Sequence, residues 1–399
     1  MARNKTSRIF RKNSSRPRIR KDKPLLAVIT TVLGTTGGDR WLYVLEDRWA
    51  SLGIEVNHVH ATGPARTEPP MPPATARVIA GSRLEKRARA DIWHVITTTL
   101  REIRRADVVL LEPQGRSAPV AFVLSKLAGR PTVIYSQGLA DLSFRTFEPN
   151  RVNRAIARFV FRHVDRVMCV SPASVQAAIR ERVAPEKIVE VRTGLDIDAV
   201  RRRLADTVEP MPPDGEIPLI VGCGPVSRHK GFDRTVLAVA ELKKRGRAVA
   251  LTVAGPPGDD FDEVTRLVRA HDLEDRVTFV SGVDAVPLMA RADVFVHAAR
   301  YESVGLVLLE SLCLGTPVIA YDAETGGPRL VLDGGRYGRL LPTEATAQAL
   351  ADAIEEHLEM PADLRDRAKL AEDFLGTDFS VDKAAEVSAT LFRDLASLR

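Results

Sequence analysis

Aromatic side chains make up only 5% of this 399-residue chain, and there are three cysteines, Cys169, Cys223 and Cys313. With 45% hydrophobic residues overall, the scarcity of aromatics implies cores built from aliphatic side chains. Three widely spaced cysteines in apolar surroundings exclude a disulfide framework and read as reduced core residues of a cytoplasmic protein. No apolar run reaches the roughly eighteen residues needed to cross a bilayer, and the N-terminus has no apolar secretory region. The histidines His58, His60 and His94 have no partners at metal-ligand spacing, so no metal site is expected. His297, at a strand end, reads as a core or supporting residue. There is no Gly-x-Ser-x-Gly nucleophile elbow. The glycines at 34–38 and at 222–224 do not form Gly-x-Gly-x-x-Gly, which excludes the dinucleotide fingerprint.

Acidic residues are nearly absent from one place. Residues 1–23 hold ten Lys/Arg and a single acid, Asp22. Without that segment 48 basic and 51 acidic residues remain, so the overall charge of +6 belongs to a tail and the folded body is slightly acidic. Such a polar, charged tail is expected to be disordered. It reads as a solvated extension able to make peripheral contact with anionic lipid headgroups. No specific nucleic-acid partner is expected.

From Lys23 onward the pattern is strand, loop, helix, repeated. Strand-like runs at 25–31, 54–60, 107–112, 131–135, 166–170 and 188–192 alternate with helical segments such as 41–52, 82–104, 118–127 and the basic amphipathic stretch 150–163. A loop is expected at 34–38 and another across the Pro-rich stretch 64–73. The stretch 201–216, with Pro210, Pro212, Pro213 and Gly215, reads as a linker. The alternation then restarts, with strands at 217–222, 248–254, 277–280, 294–297 and 317–321, and helices at 231–245, 261–271, 286–291, 305–314, 344–358, 361–375 and 380–398. This spacing predicts an α/β protein of two doubly wound, Rossmann-like domains. The expected divisions are the tail 1–23, an N-terminal domain 24–205 and a C-terminal domain 206–378, with helix 379–399 packing back on the first. A cleft between two such domains, at the carboxyl ends of the strands, is the expected ligand site.

The most informative stretch runs from Glu302 to Glu310. Glu302 follows a strand and Glu310 lies eight residues on, along an apolar helix, about 12 Å away at 1.5 Å per residue. Between them lie the free amides of a helix N-terminus, which favour an anion. Two carboxylates flanking an anion seat suit a nucleotide-sugar. An ordinary helix start with one surface Glu fits the same letters. Other strand-end loops add to the pattern. Arg228 and Lys230 stand at a helix entrance, where a diphosphate needs cations. The turn Ser281-Gly282-Val283 offers backbone to a flat base. Gly326-Gly327 allow close backbone approach.

The order of these segments resembles the family-4 retaining glycosyltransferases of the GT-B architecture. The matching text is Lys230-Gly231-Phe232-Asp233, Val253-Ala254-Gly255, Glu302-Ser303-Val304-Gly305 with Glu310-Ser311, Gly315-Thr316-Pro317, Gly326-Gly327-Pro328 and Tyr337-Gly338. Arg192-Thr193-Gly194-Leu195-Asp196 is similar to the segment that closes the family's first domain. The resemblance implies that Glu302 bonds the donor sugar and that the amides of Val304, Gly305 and Leu306 meet sugar or phosphate. It further implies that Glu310 binds the ribose and that Arg228 and Lys230 neutralise the departing diphosphate. Gly37 and Gly38 would face that diphosphate from the first domain, and Ser281, Gly282 and Val283 would seat the base. Gly327 joins the donor set.

Acceptor contacts are expected from Asp39, Arg40, Gln114, Gln137, Asp141 and Arg145. The implied activity is metal-independent hexosyl transfer from a UDP- or GDP-sugar to a saccharide, lipid-linked or small-molecule hydroxyl, with retention. A GT-B nucleotide-sugar epimerase and a catalytically degenerate donor-binding subunit are the alternatives. The chain departs from the family pattern twice. Cys223-Gly224-Pro225 lacks the family's Arg, and Gln137 stands where a His is common.

Overall fold

The computed structural model describes residues 23–30, 37–60, 76–80, 89–112, 117–140, 144, 150–206 and 217–398. The basic tail apart from Lys23, the Pro-rich stretch 64–73, and Gln114, Asp141 and Arg145 lie outside the described residues.

The N-terminal half runs β1 (Leu25–Thr30), α1 (Gly37–Ser51), β2 (Glu55–His60), β3 (Ala76–Ala80), α2 (Arg89–Arg105), β4 (Val108–Leu111), α3 (Ser117–Leu127), β5 (Thr132–Ser136), α4 (Arg151–His163), β6 (Arg166–Cys169), α5 (Pro172–Arg180), β7 (Ile188–Glu190) and α6 (Ile197–Ala205). Its strands form one parallel sheet in the order β3-β2-β1-β4-β5-β6-β7. The C-terminal half runs β8 (Leu219–Cys223), α7 (Phe232–Lys244), β9 (Ala250–Ala254), α8 (Phe261–Ala270), β10 (Val277–Val280), α9 (Ala285–Arg291), β11 (Val294–His297), α10 (Leu306–Cys313), β12 (Val318–Tyr321), α11 (Gly327–Val331), β13 (Arg339–Leu341), α12 (Ala347–Glu359), α13 (Pro361–Lys369), α14 (Glu372–Asp378) and α15 (Val381–Ser397). Its parallel sheet is ordered β10-β9-β8-β11-β12-β13.

Both sheets are doubly wound, as the alternation predicts. Strands β1, β4, β5, β11 and β12 are buried along their whole length. That is why their sequences are mainly apolar, with polar residues only at their ends: helices cover both faces of a parallel sheet. The strand order reverses between β1 and β4 in one half and between β8 and β11 in the other. In doubly wound sheets such switch points are where ligands bind.

The chain also returns to its first half. Phe379 O accepts from Leu195 N at 2.7 Å, and Leu195 bridges Ser380 in parallel fashion. A side chain on Gly194 would collide with this crossing backbone. Helix α15 then lies on α1, where Trp49 Nε1 donates to Ser388 Oγ at 2.7 Å.

Several elements differ from expectation. Helix α1 begins at Gly37, inside the expected loop, so Gly37 and Gly38 form its first turn with Asp39 as the favourable acid there. The strand β3 is an addition. Helix α6 extends into the expected linker, because Asp196 caps it by accepting from Ala199 N at 2.8 Å and its own Val200 is buried. The expected helix 361–375 is two helices, α13 and α14.

Candidate active site

The loop after β11 carries Glu302, and its backbone is held from the opposite loop. Glu302 N donates to Thr325 Oγ1 at 2.7 Å, and Thr325 Oγ1 in turn donates to Glu302 O at 2.6 Å. Gly327 N donates to the same oxygen at 3.1 Å. A Cβ on Gly327 would overlap that carbonyl, so the close approach this glycine permits is to the Glu302 loop. Gly305 adopts φ 90° and turns the chain into α10, whose first amides have no intrahelical acceptor.

The Glu302 carboxylate accepts from Lys230 Nζ at 2.7 Å. The lysine stem lies across Gly224, whose φ is 133°. Lys230 follows β8 in a short 3-10 turn that Gly231 ends at φ 72°. A Cβ on Gly231 would strike Ala298 O. Burial alone would raise the Glu302 carboxyl, but Lys230, with His297 and a hydrogen bond, outweighs it and holds the group below its ordinary value. His297, buried at the end of β11, lies 3.7 Å from the same carboxylate through Nε2. Burial lowers its pKa to about 4, against the pull of Glu302, so the ring is neutral at neutral pH. Its Nε2 has no hydrogen-bond partner among the described residues.

His229 stacks on Tyr301 with ring centroids 5.3 Å apart and accepts or donates at 2.9 Å with Ser227 Oγ. Burial first, and then Lys230, lower its pKa. Arg228 is exposed and stands outside the Lys230–Glu302 pair, while its carbonyl accepts from Arg300 at 2.6 Å.

The first half reaches this loop directly. Ser303 Oγ donates to Gln137 O at 3.0 Å. The Gln137 side chain lies against Gly38 so closely that a Cβ there would overlap its amide. Gln137 Nε2 is buried without a partner among the described residues. Asp39 is buried and Arg40 exposed at the start of α1.

At the far end of α10, Glu310 is nearly buried and accepts from Arg203 Nη1 at 2.6 Å. The same guanidinium grips Asp284 with two bonds, at 2.6 and 2.8 Å. Asp284 caps α9 through Val286 N and directly follows the exposed turn Ser281-Gly282-Val283, in which Gly282 has φ 76°.

Two family profiles match consecutive parts of the chain. Residues 35–199 match "Glycosyltransferase Family 4" and residues 209–373 match "Glycosyl transferases group 1". The chain belongs to glycosyltransferase family 4. Among its relatives is an alpha-D-kanosaminyltransferase of Streptomyces kanamyceticus, 28% identical over 298 residues, which are 70% of this chain and 75% of the relative. A D-inositol 3-phosphate glycosyltransferase of Catenulispora acidiphila is 32% identical over 232 residues, about half of either chain at 54% and 53%. The Anabaena protein HepE, solved with UDP-glucose, superposes with a TM-score of 0.73 at 18% identity, covering 92% of this chain and 99% of HepE. Sucrose-phosphate synthase from Thermosynechococcus elongatus gives the same score at 20% identity over 94% and 100%. These neighbours share the GT-B fold.

In this glycosyltransferase, Glu302, Lys230, Gly327, Gly305, Gly38 and Gln137 converge where the two halves meet. Glu310 and the turn 281–283 form a second group, toward α9. Residue-by-residue reading missed the links: Thr325, Ser303 and, above all, Arg203. Arg203 belongs to an Arg201-Arg202-Arg203 run that reads as solvated linker, and nothing in its spacing points to a carboxylate 107 positions away.

Proposed function

We propose that this glycosyltransferase moves a hexose-type sugar from a nucleoside diphosphate-sugar to an acceptor hydroxyl, with retention of anomeric configuration. The observation that carries this reading is the Lys230–Glu302 pair, 2.7 Å apart, at the entrance of α10 and facing Gln137 from the other half. An ionised Glu302 is suited to accept from donor-sugar hydroxyls. With a donor bound, Lys230 Nζ would turn from that carboxylate toward the diphosphate, where it and the amides of Gly305 and Leu306 would offset charge growing on the leaving group. Arg228, exposed two residues earlier in the same 3-10 turn, would add to this once a donor closes the cleft.

Glu310 would accept from the ribose, with Arg203 fixing its orientation and the turn Ser281–Val283 lying under the base. A UDP-sugar is favoured, because HepE binds UDP and UDP-glucose. The acceptor would enter from the N-terminal half past Asp39, Arg40 and Gln137. Polyhydroxylated acceptors of saccharide or cyclitol type are supported by a relative named for inositol 3-phosphate. Catalysis then comes from positioning and from leaving-group stabilisation. The route needs no covalent protein intermediate.

A screen of UDP- and GDP-sugars by thermal shift identifies the donor, since a ligand that binds the folded state raises the melting temperature. Release of nucleoside diphosphate with an acceptor panel, and the anomeric coupling constant of the product by NMR, then test transfer and retention. An inverted product, or isomerised sugar formed without acceptor, overturns the reading.

A further inference from the structure

Of fourteen large apolar side chains exposed among the described residues, six sit on two adjoining helices of the N-terminal half. Val152, Ile156 and Phe159 form one stripe along α4, at the helical spacings i, i+4 and i+7. Val120, Val123 and Leu127 form a second along α3. Phe122 and Phe159 meet edge to face at 6.4 Å and join the two. The exposures are large, 54% for Phe159 and 79% for Leu127. An open hollow of about 440 Å³, lined by Arg151, Val152, Ala155, Ile156 and Phe159, runs along the ridge. A cluster of exposed apolar side chains of this kind marks an interaction site.

The charge around it selects the partner. Helix α4 carries Arg151, Arg154, Arg158, Arg162 and His163 and no acid, and α3 carries Lys126 and no acid. Among the described residues, two acids answer three of these cations at the inner edge. Glu181 pairs with Arg158 and Arg162, and Asp165 pairs with Lys126. The ridge therefore stays net positive, although the folded body as a whole is slightly acidic. A two-fold contact with a second copy would press two positive faces together. The chain's own basic tail has the same sign and would be repelled. With Phe159 as the one exposed aromatic among its six apolar side chains, the ridge also lacks the row of aromatic platforms on which nucleic-acid bases stack.

We propose that the α3–α4 face docks on an anionic lipid bilayer, with the six apolar side chains entering the interface and the flanking arginines meeting headgroup phosphates. An amphipathic helix lying in the headgroup plane has this composition. This goes beyond the transfer reaction: it gives the N-terminal half, and so the acceptor side of the cleft, a fixed orientation to a membrane. No helix among the described residues is long and apolar enough to cross one, so the contact is peripheral.

The test uses the full chain, in flotation with phosphatidylcholine vesicles and with vesicles containing one third phosphatidylglycerol. The expected result is binding to the anionic vesicles alone, weakened by salt. Hydrogen exchange in the bound state should then show protection over 117–127 and 151–163. The double variant Ile156→Glu/Phe159→Glu should lower partitioning by about tenfold or more. The milder Ile156→Ser/Phe159→Ser should lower it less, and both should keep the thermal shift with nucleotide. The proposal falls if the chain does not float with either vesicle. It also falls if both double variants bind like the parent, which would assign binding to the tail, or if protection lies elsewhere. A parent that sediments as a dimer through this face, lost in the same variants, overturns it in favour of a second copy.

Discussion

At neutral pH Glu302 is ionised and His297 is neutral, and the two states have different causes. The lysine contact keeps the carboxylate charged against burial, whereas burial, helped by Lys230 and His229, discharges the histidine. Removing the Glu302 charge with Glu302→Gln conserves volume and keeps one carbonyl acceptor, but it loses the negative charge that Lys230 pairs with and replaces one acceptor oxygen by a donor. We expect kcat to fall by roughly a hundredfold, in the range seen when one transition-state contact is removed, while nucleotide still raises the melting temperature. Unchanged steady-state transfer would remove Glu302 from the mechanism.

His297 makes a separate prediction about stability. Its folded pKa of about 4 lies below the ordinary 6.5, so below pH 6.5 the unfolded chain binds the proton and the folded chain does not. Stability should therefore fall as pH drops from about 6.5 toward 4, by up to about 3 kcal/mol. Urea midpoints across that range should decline less steeply in His297→Gln than in the parent. Parallel curves would show that another group titrates there.

Helix α6 is the element whose role was least visible. Its Arg203 holds Glu310, at the far end of α10, and Asp284, at the cap of α9, on one rigid fork. The carboxylate proposed for ribose and the turn proposed for the base are thus kept in register by a helix that belongs to the other half of the sequence. Arg203→Ala should raise the donor KM by about tenfold, the loss expected for one charge-assisted hydrogen bond, with a smaller change in kcat. Arg203→Lys should rescue only part, because an ammonium cannot span two carboxylates in the fork geometry. Equal losses in kcat and KM, or full rescue by lysine, would count against this role.

The contrast with the Glu302–Glu310 segment explains what the sequence discloses. Apolar runs such as 25–30 and 108–111 announce buried parallel strands, because burial on both faces favours apolar side chains along the whole strand. Glu302, Lys230 and Gly327 are local to glycine-marked strand ends and were readable there. The Arg203–Glu310 pair, the Ser303–Gln137 bridge and the edge strand β3 depend on which distant segments meet. Local spacing does not carry that information. Gly37 and Gly38 read as loop because glycine is a poor helix former, yet α1 starts on them: Gly38 must lie flat against Gln137.

At the scale of the whole molecule, the question is whether the two sheets behave as separable bodies. One continuous apolar cluster contains Leu26, Leu45 and Trp49 of the first half, Val304, Leu308 and Leu309 of the second, and Phe379 and Phe392 of the returning C-terminus. Trp49 and Phe392 pack edge to face at 5.0 Å, and the Trp49 indole also donates to Ser388. The last helix therefore acts as a strap. The chain leaves the C-terminal half after α14, crosses beside Gly194 at residues 379–381 and then runs along α1 as α15. If the strap couples the halves, calorimetry should show one transition for the parent, and a donor bound mainly to the C-terminal half should raise it as a whole. Phe392→Ala removes a fully buried ring, at a cost of about 3–5 kcal/mol. The loss falls on the contact between α15 and α1, leaving the β8–β13 core intact. The expected outcome is two transitions, the lower one insensitive to nucleotide and the upper one still raised by it. A single transition, merely shifted down and still fully ligand-responsive, would mean that the Ser303–Gln137 bridge and the α6 clamp suffice to couple the halves. The role of the C-terminal helix would then be confined to local packing.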